Sequence, residues 1–202
     1  MNQEQVIIKN FELFKTQASK LGTKGGSIIS YMDNNSERIM LAPASTKRDY
    51  TCCHPGGLVE HSLRVLQNMA KLRQVYNLTD SVSTQSIILC SLFHDIGKVG
   101  TESKEYYVDN TSDWHRDKLG IYYNVADRFQ HVPVSQLSLF TLSQNKVEID
   151  IDEWYAVSTI GSKGQREELP SQGEPWISVL LSQAVKAACV MGKGKEKVLS
   201  IQ

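Results

Sequence analysis

The sequence carries no excess charge of either sign, since 22 lysines and arginines stand against 22 aspartates and glutamates. With no net field drawing the whole molecule to nucleic acid or an anionic membrane, any phosphate binding has to be local. Long apolar runs are missing as well, and the opening MNQEQVIIKNFELF lacks the basic start and apolar core of an export signal. No membrane partner is expected, and the expected compartment is a cytoplasm. Cysteine is sparse: Cys52, Cys53, Cys90 and Cys189 show neither zinc spacing nor a disulfide framework, so they are expected to be small hydrophobes in the core or on its edge. No linker rich in Pro, Gly or Ser and no internal repeat divides the chain. The expectation is one domain over residues 1–202, with its core at about 42–191 and a mobile tail over 192–202.

What is present is helical periodicity. Val6, Ile7, Phe11, Phe14 and Ala18 predict an amphipathic opening helix over residues 4–20, stopped by Gly22, Gly25 and Gly26. Residues 27–41 read either as a hairpin around DNNS or as short helix with a turn, with the helix favoured. After Pro55, the positions Leu58, Ser62, Val65, Met69 and Leu72 share one helical stripe, and His61 falls on it, facing inward. STQSIILCSLFHDIG opens with Ser83 or Thr84 as a cap and is apolar on nearly every side until Gly97, which predicts a buried central helix with His94 and Asp95 at its end. The polar, aromatic-rich YYVDNTSDWHRDKLGIYYN is too long for a tight connection and reads as a functional loop. Pro133 opens a further helix, Asp150 with Glu153 resembles a capping box for IDEWYAVSTI, GSKGQREELPSQG is a loop by composition, and a last helix runs from about Glu174 to Gly192. Helix throughout, with no alternating strand pattern, predicts an all-α bundle.

A histidine next to an aspartate at the end of a buried helix is costly unless something compensates it, because an ionised carboxylate in a core needs a partner or a cation. One such partner is a metal. His61, His94 and Asp95 together offer nitrogen and oxygen ligands suited to Mn, Fe, Ni, Co or Zn, or to Mg, more than to Ca. Each residue alone also has an ordinary structural account: His61 as a satisfied core histidine, His94 with Asp95 as a pair closing a helix.

APASTKRDYTCCHPGGLVEHSLRVL followed by SLFHDIGKVG resembles the opening of phage and bacterial HD-domain proteins, metal-dependent phosphohydrolases whose signature is a histidine after GGL and then HD with a following G-K. The resemblance continues through WHRDKLGIYYN, HVPVSQLSLF, DEWYAV and LLSQAVKAA, covering residues 42–190. It implies an all-α HD-domain bundle in which His61, His94 and Asp95 are metal ligands, Asp95 is also catalytic, and Lys98 stabilises phosphate or its developing charge. It also implies a nucleotide or a cyclic or oligomeric nucleotide as substrate, and the host's cytoplasm if the chain is phage-encoded. Two departures stand out. The family's last ligand, an aspartate in the final core helix, is Val185 here, and a histidine frequent near the end of the preceding helix falls at or near Ile160. Losing an anionic ligand weakens a divalent site, since even outer-shell partners are worth ~10 to 100-fold in affinity. Either His115, Asp113 or Asp117 completes a rearranged site, or the fold is kept for binding a nucleotide, nucleic acid or protein partner without catalysis.

Trp114, His115, Arg116 and Lys118, with Tyr106, Tyr107, Tyr122 and Tyr123 nearby, are candidates to stack a base and neutralise phosphate, and Lys47 and Arg48 to reach the same mouth from another side. Packing of the domain edge is the alternative for these aromatics. His54 and His131, beside prolines at helix entrances, are expected to be structural, at capping or surface positions. Lys163 and Arg166 belong to a flexible basic loop, read as solvated.

Overall fold

A computed structural model describes residues 2–161, 173–194 and 197–201. Its frame is helical. α1 (Gln3–Ser19) starts at a capping box, with the Asn2 side chain accepting from the Gln5 backbone and Gln5 reaching back to Asn2. The ambiguous stretch after it resolves as two short helices, α2 (Ile28–Asn34) and α3 (Ser36–Leu41), rather than a hairpin. α4 (Gly57–Val75) is buried on every side from Gly57 to Val65 and only then becomes amphipathic. α5 (Thr84–Phe93) is capped by Ser83, whose Oγ accepts from the Ser86 N–H at 2.9 Å, and every residue from Ile87 to Phe93 is buried. The predicted central helix is therefore present, but it ends before Gly97: Phe93 is its last residue, His94 is its C-cap, Asp95 leaves the helix, and a 3-10 turn covers Ile96–Val99.

The aromatic-rich stretch is not an open loop, and it adds one short strand pair to the otherwise helical frame. β1 (Tyr107–Asp109) pairs antiparallel with β2 (Tyr123–Val125), Tyr107 opposite Val125, and α6 (Asp113–Leu119) stands between them, capped by Ser112 at its start and by Gly120 at φ +63 at its end. α7 (Val134–Gln144), α8 (Ile151–Thr159) and α9 (Trp176–Gly192) follow, α8 behind the predicted Asp150 and Glu153 capping box. Lys163 and Arg166 fall outside the described residues.

α4 lies along both α5 and α9, and one apolar cluster extends from Phe11 through α4, α5 and α9 to Ile201. Two glycines allow the close approaches that shape the site. A Cβ on Gly57 would stand 1.9 Å from the Cys52 carbonyl oxygen, and one on Gly97 would stand 2.6 Å from Leu137 Cβ, so α4 meets the preceding segment, and α7 the 3-10 turn, at backbone distance. The described part of the tail makes specific contacts with the helical frame. Val198 and Ile201 are buried, the Leu199 N–H donates to Glu60 Oε2 at 2.8 Å, and Asn10 accepts from the Ile201 N–H at 3.0 Å. Backbone groups of residues 197–201 thus find partners on α1 and α4.

Candidate metal centre

α4 and α5 bring His61, His94 and Asp95 together, placing one ligand atom from each within 4.8 Å of the others. The inward stripe of α4 carries His61, and the end of α5 carries the other two. His94 Nε2 is 3.7 Å and His61 Nε2 4.0 Å from Asp95 Oδ2, and the two imidazole rings lie 5.5 Å apart. His94 Nδ1–H donates to the Ser91 carbonyl at 2.9 Å. That bond fixes the tautomer and leaves the Nε2 lone pair facing the cluster, the arrangement that orients metal-binding histidines.

Two buried ring nitrogens, His94 Nε2 and His61 Nδ1, have no hydrogen-bond partner. Buried polar atoms are nearly always satisfied, so this pair asks for a ligand. Burial, and then His94, push the His61 pKa down to about 3, and burial likewise lowers that of His94, so both rings are neutral at pH 7. Burial alone would raise the Asp95 pKa, but the Lys98 ammonium beside it holds it well below the usual carboxylate range. Neutral imidazoles and an ionised carboxylate are the protonation states in which these groups bind a divalent cation. The residues present fit one ion held by three protein ligands.

Lys98 sits one 3-10 turn beyond Asp95, with Nζ 2.5 Å from Asp95 Oδ2 and 2.7 Å from the Ala44 carbonyl. Burial opposes its charge, yet Asp95 and Tyr107 outweigh that and raise its pKa. Beside it opens a cavity of about 450 Å³, lined among others by Arg38, Lys98, Tyr106, Tyr107, Asp109 and Tyr123. Burial raises the pKa of all three tyrosines, that of Tyr107 to about 12, so each phenol is a donor at neutral pH. Sequence reasoning missed Arg38, whose guanidinium is tied to the Val99 and Lys104 carbonyls, because an isolated basic residue in an ambiguous segment carries no pattern. A larger cavity of about 600 Å³, between Lys104, Val108 and Arg128, contains none of the candidate ligands.

Trp114, His115, Arg116 and Lys118 stand on α6, which has no buried residue, and none of the four lines the cavity beside Lys98. His115 Nδ1 and the Ser112 hydroxyl are 2.7 Å apart, and Arg116 pairs with Asp113 and donates to the Asn110 carbonyl. Lys47 bridges to Ile121 and the Arg48 N–H donates to Gly120, so this second basic pair does reach the end of α6. Val185 packs half-buried against the core, and Ile160 caps the end of α8. The α9 group that senses the charges of Lys98 and Asp95 is Cys189, one turn beyond Val185. His131 is exposed as expected, whereas His54, read as a capping or surface residue, is buried. Among the described residues no helix is long and apolar enough to cross a membrane.

Residues 58–133 match the family model of the HD domain, a span that contains His61, His94, Asp95, Lys98 and the whole β1 to β2 excursion. No curated protein and no solved structure matches the chain. The HD match over residues 58–133 and the helical frame agree with the geometry of the centre: this part of the chain is similar to the HD domain, and the fold is all-α.

Proposed function

We propose that the protein is a metal-dependent phosphohydrolase acting on a nucleotide or a cyclic or oligomeric nucleotide. The observation that carries this reading is the convergence of two neutral imidazoles and one ionised carboxylate within 4.8 Å, beside a cavity that opens on Lys98. His61, His94 and Asp95 hold the metal, with Mn, Fe, Ni, Co and Zn suited to the mixed nitrogen and oxygen set and Mg the hard-ion alternative. When bound, a divalent metal here supplies Lewis-acid polarisation of a phosphoryl oxygen and activation of water.

The chain's own groups do the rest. Lys98 spends two of its three N–H donors on Asp95 and Ala44, which fixes the ammonium and leaves one for a phosphoryl oxygen. Tyr106, Tyr107 and Tyr123 offer ring faces for a base and phenol donors for sugar or phosphate. α6 joins the two strands that carry Tyr107 and Tyr123, which supports a role outside the cavity for Trp114, His115, Arg116 and Lys118, with Lys47 and Arg48, as contacts for the outer phosphates of a longer substrate.

A second reading, an HD protein that binds a nucleotide, nucleic acid or protein partner without turnover, is favoured by Val185 and by the Lys98 ammonium that already balances Asp95. The test is a screen of mono-, tri- and cyclic nucleotides with Mn, Mg, Co and Ni, alongside metal analysis of protein purified without chelator. Turnover that disappears in Asp95→Ala supports the enzyme; turnover unchanged in that variant ends the proposal. Nucleotide binding by metal-free protein, with no turnover under any condition, establishes the second reading instead.

A further inference from the structure

A second set of ligand-type side chains meets at the start of α4, on residues that the HD centre does not use. Cys52, His54 and Glu60 bring a thiol, an imidazole nitrogen and a carboxylate oxygen within 4.8 Å of one another, and the three residues are 0%, 3% and 0% exposed. The segment leading into α4 supplies the first two and the first turn of α4 the third. The backbone of Cys52 is pinned at both ends, its N–H to the Gly192 carbonyl at 3.1 Å and its carbonyl to the Ala44 N–H at 3.0 Å.

His54 shows why this is more than packing. Its Nδ1 lies 3.0 Å from the Pro55 carbonyl, which can only accept, so the tautomer with its proton on Nδ1 presents a lone pair at Nε2. That nitrogen is buried without a hydrogen-bond partner and stands 3.6 Å from Glu60 Oε2, an acceptor facing an acceptor. The other neutral tautomer only moves the conflict to the Pro55 carbonyl. A cation between the two atoms resolves it, either a proton or a metal. A proton would draw the pair to the roughly 2.8 Å of a charge-assisted hydrogen bond. The observed 3.6 Å is instead near the edge of a coordination tetrahedron, about 3.3 Å for bonds of about 2.0 Å. Glu60 Oε1 takes two donors from Arg64 and Oε2 takes the Leu199 N–H, which hold the carboxylate in place without reaching the His54 side.

We propose that Cys52, His54 and Glu60 form a zinc site separate from the HD centre, a structural one that ties the segment before α4 to α4 itself. A thiolate, an imidazole and a carboxylate are a mixed set that zinc accepts, with one further ligand such as water completing the tetrahedron. On binding, the Cys52 S–H bond breaks, its proton passes to solvent, and a sulfur–zinc bond forms in its place. Because Glu60 also anchors Leu199, an ion here stiffens the docking of the chain's end.

Cobalt(II) loading of the full chain tests this, because only a thiolate ligand gives a sulfur-to-cobalt charge-transfer band. The band should be present in the wild type, disappear in Cys52→Ser, and persist in Cys189→Ser and His61→Ala. No band in the wild type overturns the site, as does a band that survives Cys52→Ser or is lost in Cys189→Ser, which would assign it to the neighbourhood of Asp95. If Cys52→Ser does not fold, zinc-edge X-ray absorption on folded His61→Ala protein decides. About one retained zinc with a sulfur neighbour supports the proposal; no zinc, or only nitrogen and oxygen neighbours, overturns it.

Discussion

Asp95 and Lys98 are each about 15% exposed and lie 2.5 Å apart, so each is the other's main compensation. Deleting one partner of a mostly buried pair leaves the other uncompensated, which costs about 3 kcal/mol here, the low end for such pairs because solvent still reaches both groups. Asp95→Ala should therefore lower the urea midpoint as well as any turnover, and Asp95→Ala with Lys98→Met should recover much of the stability but none of the turnover. A double variant no more stable than the single one would show that Lys98 is satisfied without Asp95. At this scale the centre was partly legible: His61 falls on an apolar stripe, and His94 with Asp95 ends an apolar helix, so burial followed from periodicity, while their convergence was what the resemblance to HD-domain proteins implied. Cys52, His54 and Glu60 were not legible. Nothing in their spacing matches a zinc pattern, and the kinship of His54 with Glu60 depends on how the chain turns at Gly56, whose φ is +83, before entering α4.

Among elements, the long helices were read nearly to their ends because their apolar positions recur every three to four residues, and the capping box of α8 was visible as Asp150 and Glu153. The Asp150 side chain accepts the Glu153 N–H at 2.8 Å, and Glu153 answers to the Asp150 N–H at 3.0 Å. Asp150→Ala should cost about 1 kcal/mol, read as a shift of the denaturation midpoint, whereas Asp150→Ser should cost much less. The β1 and β2 pair escaped notice because strands of three residues are too short to show alternation. α2 contributes a pH effect of its own. Burial raises the Tyr31 pKa from 10.0 to about 12, with Arg38 opposing it, so between those values the unfolded chain has lost a proton that the folded chain keeps. Stability from this group is complete below pH 10 and falls as pH rises towards 12, by up to about 1.4 kcal/mol per pH unit. Comparison of wild type with Tyr31→Phe across that range should show the variant losing less; parallel curves would remove Tyr31 as the cause.

Across the whole molecule, the two ends of the described chain meet at the centre's own helix. Asn10 of α1 donates to the Leu199 carbonyl at 2.8 Å and accepts from the Ile201 N–H, while Leu199 donates to Glu60 of α4, the residue before His61. The tail is polar and lysine-rich, and composition does not reveal that Val198 and Ile201 find an apolar surface while Asn10 and Glu60 pair with the backbone between them. Removing residues 197–202 exposes that surface and takes one donor from Glu60. Each buried aliphatic side chain is worth roughly 1.5 to 3 kcal/mol against the unfolded chain, less the entropy of ordering five residues, so a net loss of about 2 kcal/mol is expected. In urea titrations the truncated protein should show a lower midpoint, and Asn10→Ala in the full chain should reproduce part of the drop. Were truncation to leave the midpoint and the protection of amide protons at the start of α4 unchanged, the docking of the tail would be no part of what holds His61 in place.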